Sequence, residues 1–132
     1  MTIIVCVDDN MGMMFNDRRQ SRDSAVIDKI YEIAQGGSLF ASEYSANLFD
    51  EEKVIVCNEM LDRATDNDYC FVENISLCKH MDKIKSIVLF KWNRSYPYDV
   101  KLDISIDEFT EVLVEDFAGN SHEKITKAVY VK

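Results

Sequence analysis

The sequence predicts a single α/β domain over residues 1–132, with a mostly parallel sheet of about seven strands between helices on its two faces, in three layers. Three observations predict it. Apolar, β-branched runs alternate with segments of helical periodicity. The chain of 132 residues has the length of one domain. Two strand-like segments flank Gly119 and Asn120, which predicts a C-terminal antiparallel hairpin.

The first third of the chain shows the alternation most clearly. Residues 2–7 are almost all apolar, which is typical of a strand buried on both faces. Residues 8–10 end this strand, and we predict a polar, arginine-rich loop after them. Asp23 or Ser24 is expected to cap a helix that stops at the glycines 36–37. Its apolar positions recur at helical spacing: Val26, Ile27, Ile30, Tyr31 and Ala34.

The rest of the chain continues this pattern. Further strands are predicted at residues 38–41, 53–57, 69–72, 84–90, 111–117 and 124–131. Strand 111–117 alternates apolar and polar residues, which predicts that it is half-buried. A second helix is expected after Ser42, with Tyr44, Leu48 and Phe49 on one side, and a short one at 75–81. Residues 58–68 and 91–101 are expected to be irregular.

Charge and composition exclude several classes of function. The net charge is −9, which argues against nucleic-acid and anionic-membrane binding. Residues 43–73 hold nine acids against two bases, so an acidic interaction module or inhibitor that docks on a basic protein partner is an alternative function. No signal peptide or membrane-length apolar run occurs, which predicts a cytoplasmic location and no membrane partner. No cofactor is expected. A zinc site is not expected either, because the four cysteines form no CxxC pair and the two histidines are far apart.

Parts of the sequence resemble the dihydrofolate reductase fold. Residues 3–12 (IIVCVDDNMG) are similar to its opening strand and loop, residues 82–89 (DKIKSIVL) to a late strand, and residues 111–117 and 124–132 to its final hairpin. The resemblance implies a reduced version of that fold, about one strand and one helix shorter in the middle. By position, Asp23 matches the single active-site carboxylate of that family.

Two departures from this family bear on function. Glu73 and Asn74 replace the glycine pair where the reductase backbone approaches the cofactor pyrophosphate, and a carboxylate there would repel that anion. The proline-tryptophan segment before the first helix is replaced by residues 19–22 (RQSR). The resemblance therefore implies the fold without nicotinamide cofactor and without reductase activity.

The chain is also similar to a group of short bacterial proteins that share VCVDDN, CFVEN, KWNR and SHEKIT patterns and sometimes carry the label ribonuclease Z. That label implies two zinc ions bound by an HxHxDH cluster. This chain has only His80 and His122, which are far apart in sequence, so we do not expect zinc-dependent nuclease chemistry.

The predicted site lies where parallel strands end, because ligands bind at the carboxyl ends of such strands. The leading hypothesis is a pocket for a small polar or phosphorylated ligand, gripped by arginines, with a tryptophan available to stack on a ring. The candidate ligand-binding residues are Asp8, Asp9, Arg18, Arg19, Arg22, Glu73, Asn74, Trp92 and Arg94. Alternatively, the three loop arginines pair with Asp8, Asp9, Asp17 and Glu73 to hold the loop, and Trp92 only covers the core.

Whether the chain is an enzyme stays open, and the leading hypothesis is a binding domain without catalysis. A diverged reductase using Asp23 is one enzymatic alternative. A hydrolase with Mg²⁺ on Asp8, Asp9 and Glu73 is another, because Mg²⁺ prefers oxygen ligands. His122 is a candidate general acid–base residue, but its place beside the Gly119 turn predicts a solvated histidine.

Overall fold

The computed structural model describes residues 1–132 and contains ten strands and two α-helices. In chain order they are β1 (Thr2–Val7), β2 (Gly12–Phe15), β3 (Arg18–Arg19), α1 (Ser24–Ile33), β4 (Leu39–Ala41), β5 (Ile55–Val56), α2 (Met60–Arg63), β6 (Tyr69–Phe71), β7 (Ser86–Lys91), β8 (Val100–Lys101), β9 (Thr110–Phe117) and β10 (Ile125–Val131). Three 3₁₀ turns occupy Ala46–Leu48, Cys78–Lys83 and Ile106–Glu108.

Seven strands form the main sheet in the order β5-β4-β6-β1-β7-β10-β9. The central strand β1 is parallel to both β6 and β7, and β4 is parallel to β5 and β6. Strand β10 is antiparallel to both of its neighbours, β7 and β9. The predicted seven-stranded, mostly parallel sheet with a C-terminal antiparallel pair is therefore confirmed. The carboxyl ends of β6, β1 and β7 lie along one edge of this sheet.

The main sheet separates two hydrophobic clusters. Ile3, Val5 and Val7 of β1 face a cluster that also contains residues of β2 and α2, whereas Ile4 faces a cluster that contains residues of α1. This alternation buries β1 on both faces, as its apolar sequence predicts. Helices were expected on both faces, but only α1 is a full helix. A small sheet, β3-β2-β8, and short helical segments cover the other face.

Helix α1 begins at the predicted cap. The carboxylate of Asp23 accepts a hydrogen bond from the Ala25 N–H at 2.9 Å, and Val26 and Ile30 are buried against the sheet. The helix ends before Gly36, whose φ of +88° is costly for a residue with a side chain. Because Asp23 both starts this helix and follows the arginine-rich segment, its side chain lies near the carboxyl edge of the sheet.

The segment after β1 is a hairpin, and the prediction of a loop there is wrong. Strands β2 and β3 pair through Phe15 and Arg18, which leaves a two-residue turn. Asn16 and Asp17 have φ of 52° and 59°, as a type I′ turn requires. Asparagine and aspartate tolerate this conformation better than most residues, so the turn forms without glycine.

Other predictions also fail locally, and residues 58–68, which were expected to be irregular, contain α2. The helix expected after Ser42 is only a 3₁₀ turn, because the Ser42 hydroxyl accepts from the Ser45 N–H at 3.3 Å and closes a tight turn instead. The strand predicted at residues 53–57 is only β5, which is exposed. Strand β9 is mostly exposed rather than half-buried, because it lies at the sheet edge with little packed against it.

Candidate functional site

Asp8 follows β1 and organises the neighbouring loops. Its carboxylate accepts hydrogen bonds from the Gly12 N–H at 2.7 Å and the Tyr96 N–H at 3.1 Å, and from the Gln20 side chain at 3.2 Å. Burial alone would raise the pKa of Asp8, but these hydrogen bonds lower it. The carboxylate is therefore ionised and already satisfied by the protein, which leaves it little capacity to bind a ligand.

Glu73 follows β6 and is buried beside Arg19. Two guanidinium nitrogens of Arg19 donate to the two carboxylate oxygens of Glu73 at 2.9 and 3.0 Å, and the Ser45 hydroxyl donates to it at 2.7 Å. This bidentate contact raises the pKa of Arg19. The alternative in which loop arginines pair with acids thus holds for Arg19, whereas Arg18 and Arg22 make no salt bridge.

Of the remaining predicted ligands, Arg22 and Trp92 line a small cavity together with Glu73, whereas three others lie at the surface. Asp9, Asn74 and Arg94 are exposed, and Asp9 instead accepts a hydrogen bond from the Ser95 hydroxyl at 3.3 Å. No group of three or more His, Cys, Asp or Glu side chains is placed to hold a metal ion. The three acids of the Mg²⁺ alternative are therefore not arranged as a metal site, and Asp8 and Glu73 are engaged by different partners.

The hairpin and the segment after β7 border an open cavity of about 550 Å³. Arg18 is exposed at this cavity and has no acidic partner. Arg19 also lines the cavity while its guanidinium forms an ion pair with Glu73. The lining residues are Phe15, Asn16, Arg18, Arg19, Gln20, Tyr96 and Pro97. The volume lies within the usual range for small-molecule sites. Of the nine predicted ligand-binding residues, this cavity contains only Arg18 and Arg19.

A second polar cluster centres on Asp23. Its carboxylate accepts from the backbone N–H groups of Ala25, Asn120 and Ser121 at 2.9, 2.9 and 2.7 Å, and from His122 Nδ1 at 3.0 Å. Burial alone would raise the pKa of Asp23, but these four hydrogen bonds lower it to about 2. The structure therefore brings together the two candidate catalytic residues, Asp23 and His122, across 99 positions of sequence.

His122 is buried, and its prediction as a solvated turn histidine is wrong. It is only 5% exposed because Trp92 stacks on its ring at 4.6 Å between centroids. Trp92 is itself 3% exposed, so it is not free to stack on a ligand as predicted. Gly119 makes room for this arrangement: a Cβ atom there would lie 2.5 Å from a carboxylate oxygen of Asp23.

Two hydroxyl groups approach the other ring nitrogen of His122. The Ser21 Oγ lies 3.0 Å from Nε2, and the Tyr96 hydroxyl lies 3.4 Å from it. The sequence does not indicate Ser21, Gln20 or Tyr96 as site residues. The only feature in the sequence that points to Ser21 is its position two residues before the helix cap. A serine at such a position is too common to be singled out. Tyr96 is 26 residues before His122 in sequence, and only the fold reveals their contact.

Comparisons of the chain with models of known protein families and with curated proteins find no match. No helix has the length and apolar character needed to span a membrane.

Proposed function

We propose that this protein binds a small molecule that carries a phosphate or carboxylate group beside a ring, in the cavity of about 550 Å³ between the β2–β3 hairpin and Tyr96. The observation that carries the proposal is the pair of arginines at this cavity. Arg18 lacks an acidic partner, and Arg19 is fixed by Glu73. Guanidinium groups bind such anions through paired hydrogen bonds.

The walls of the cavity favour a ligand with a flat apolar part. Phe15 is 42% exposed at one side of it, and Tyr96 lines it together with Pro97. Asn16 and Gln20 add amide groups to the lining. A purely inorganic anion would leave these apolar surfaces in contact with water, so a ring-bearing anion should bind more tightly than phosphate alone.

We further propose that the chain has a reduced dihydrofolate reductase-like fold without reductase activity. The segments that carry the resemblance form the neighbouring strands β1, β7, β10 and β9, which supports the kinship. Glu73 argues against nicotinamide cofactor, because a buried carboxylate follows β6 where that family has its glycine pair. A fluorescence titration with NADPH should show no binding, and saturable binding would contradict this part of the proposal.

Calorimetric titration with three probes tests the anion site: phenyl phosphate, benzoate and inorganic phosphate. We expect phenyl phosphate to bind best and the variant Arg18→Gln to weaken it by about tenfold or more, since a hydrogen bond to a charged group contributes about 1.5–3 kcal/mol. Arg63→Gln, on the exposed face of α2, is the matched control and should leave affinity unchanged. Absence of binding by all three probes, or equal affinity for both variants, would refute the site.

The exposed edge of β5 supports a second candidate function, docking of a basic protein partner on residues 43–73. Ile55 and Val56 are 46% and 49% exposed on this edge strand, and exposed acids flank them at Glu52 and Glu59. A free strand edge with this chemistry suits a strand of alternating apolar and basic residues.

A labelled peptide of alternating valine and lysine provides the test for this docking surface, with anisotropy as the readout. Binding should weaken in high salt and in Ile55→Lys, but not in Val112→Lys on the opposite edge, where Val112 is also exposed. Equal binding by the two variants would exclude the β5 edge.

A further inference from the structure

Ser21, His122 and Asp23 form a continuous hydrogen-bonded chain. The Asp23 carboxylate and His122 Nδ1 are 3.0 Å apart, and His122 Nε2 and Ser21 Oγ are also 3.0 Å apart. The carboxylate and the ring are buried, whereas Ser21 is partly exposed. This is the order of groups that activates a serine hydroxyl in acyl transfer: a carboxylate orients an imidazole, which accepts the proton of the hydroxyl.

The hydrogen bonds fix which ring nitrogen carries the proton. The ionised Asp23 carboxylate only accepts hydrogen bonds, so His122 Nδ1 must donate to it. In the neutral ring, Nε2 therefore presents its lone pair to the Ser21 hydroxyl. Three backbone N–H groups hold the carboxylate, and Trp92 holds the ring from its face. The base is thus oriented before any substrate binds.

The space beside Ser21 restricts the acyl group that it could accept. Ser21 and Arg22 border a cavity of about 20 Å³ whose other walls include Val26, Phe71 and Glu73. A cavity of about 10–15 Å³ holds one water molecule. The space next to Ser21 is therefore of about methyl size, which favours an acetyl group over a longer acyl chain.

A larger cleft of about 230 Å³ adjoins this small cavity, and the two share Arg22, Asp23, Ile27 and Leu48 as lining residues. It is separate from the cavity of about 550 Å³ that we propose for the anionic ligand, with which it shares no lining residue. An ester can thus place its acetyl group beside Ser21 and its alcohol part in the cleft. Arg22 lines this cleft together with the acids Asp23 and Asp28, so a polar alcohol part without a net negative charge would be favoured.

We propose that the protein hydrolyses small acetate esters, with Ser21 as nucleophile, His122 as general base and acid, and Asp23 as the positioning residue. Ser21 Oγ attacks the carbonyl carbon while its proton moves to His122 Nε2. The bond to the alcohol oxygen then breaks, and that oxygen takes the proton from Nε2. Water attacks the acetyl-serine and gives one proton to Nε2. Ser21 recovers that proton as acetic acid leaves, and the acid then releases its own proton to solvent.

Hydrolysis of p-nitrophenyl acetate and labelling by a fluorophosphonate test this proposal on the full chain. The fluorophosphonate adduct should map to Ser21 by peptide mass spectrometry, which reports the activated hydroxyl independently of turnover. Ser21→Ala should abolish the adduct and reduce kcat/KM about 100-fold or more, the lower limit for loss of a positioned acid–base or nucleophilic group. p-Nitrophenyl butyrate should react at least about tenfold more slowly than the acetate, because a 20 Å³ cavity rejects the longer chain.

Ser95→Ala is the matched control, because Ser95 is an exposed serine whose hydroxyl donates a hydrogen bond to Asp9. It should keep both the adduct on Ser21 and the hydrolysis rate. A thermal melt shows whether Ser21→Ala is folded, and His122→Gln provides a second variant that should lose labelling while Ser21 is present. An adduct that is absent or lies on another residue would overturn the proposal, as would Ser21→Ala with wild-type hydrolysis.

Discussion

Replacing Asp23 by asparagine should destabilise the protein by about 3 kcal/mol at pH 7. The carboxylate accepts four hydrogen bonds, two on each oxygen. An asparagine keeps one acceptor oxygen and turns an NH₂ group toward the two donors on the other side. Each hydrogen bond to a charged group contributes about 1.5–3 kcal/mol, so losing two, with partial relaxation, gives this magnitude.

The pKa of Asp23 gives this loss a characteristic pH dependence. Because folding lowers the pKa from 3.8 to about 2, the ionised carboxylate stabilises the protein fully above about pH 4, and this stabilisation is lost as the pH falls through the folded-state value. The gap between wild type and Asp23→Asn should therefore narrow by about 1 kcal/mol between pH 7 and pH 3.

Urea unfolding followed by circular dichroism at both pH values measures this gap. Asp28→Asn is the control, because Asp28 is exposed on the same helix and makes no hydrogen bond through its side chain; it should change stability by no more than about 0.5 kcal/mol. A gap of equal size at pH 7 and pH 3 would refute the assignment of a buried, ionised carboxylate at position 23.

Three further substitutions probe other parts of the structure. Glu73→Gln should cost about 3 kcal/mol in urea unfolding, because it leaves the Arg19 guanidinium with only neutral acceptors; a loss below about 1 kcal/mol would contradict a tight ion pair. Gly119→Ala should lower the melting temperature through a loss of about 2 kcal/mol, since its Cβ would lie 2.5 Å from Asp23, and an unchanged melting temperature would show that the loop relaxes freely. Leu113→Lys on β9 should change stability by less than about 0.5 kcal/mol in the same melt, because Leu113 is 43% exposed, and a larger loss would mean that something covers this edge.

The central strands could be predicted because their local sequence determines their burial. Strands β1 and β7 are short apolar runs with both faces covered, so composition alone identifies them. The cap of α1 could be predicted for the same reason, because Asp23 is adjacent in sequence to the helix that it caps. The burial of β9 could not be predicted in the same way. Alternating apolar and polar residues indicate that one face of a strand can be buried, but burial also requires another element that packs against that face.

The candidate site was less predictable because it depends on distant contacts. The sequence indicates both Arg18 and Arg19. Only the fold shows that Arg19 pairs with Glu73, 54 residues away, whereas Arg18 has no acidic partner. His122 is adjacent to a turn in sequence, and only the stacking of Trp92 and the closeness of Asp23 bury it. The hairpin was missed although residues 16 and 17 are both good formers of a type I′ turn.

The two-residue turn of the hairpin determines which arginine is neutralised. Because neighbouring residues of a strand point to opposite faces, pairing of Phe15 with Arg18 directs the next side chain to Glu73. A single residue inserted at Asn16 would shift this register and offer the wrong guanidinium to the buried carboxylate. The length of this turn therefore determines which guanidinium pairs with Glu73, although both of its residues are exposed to solvent.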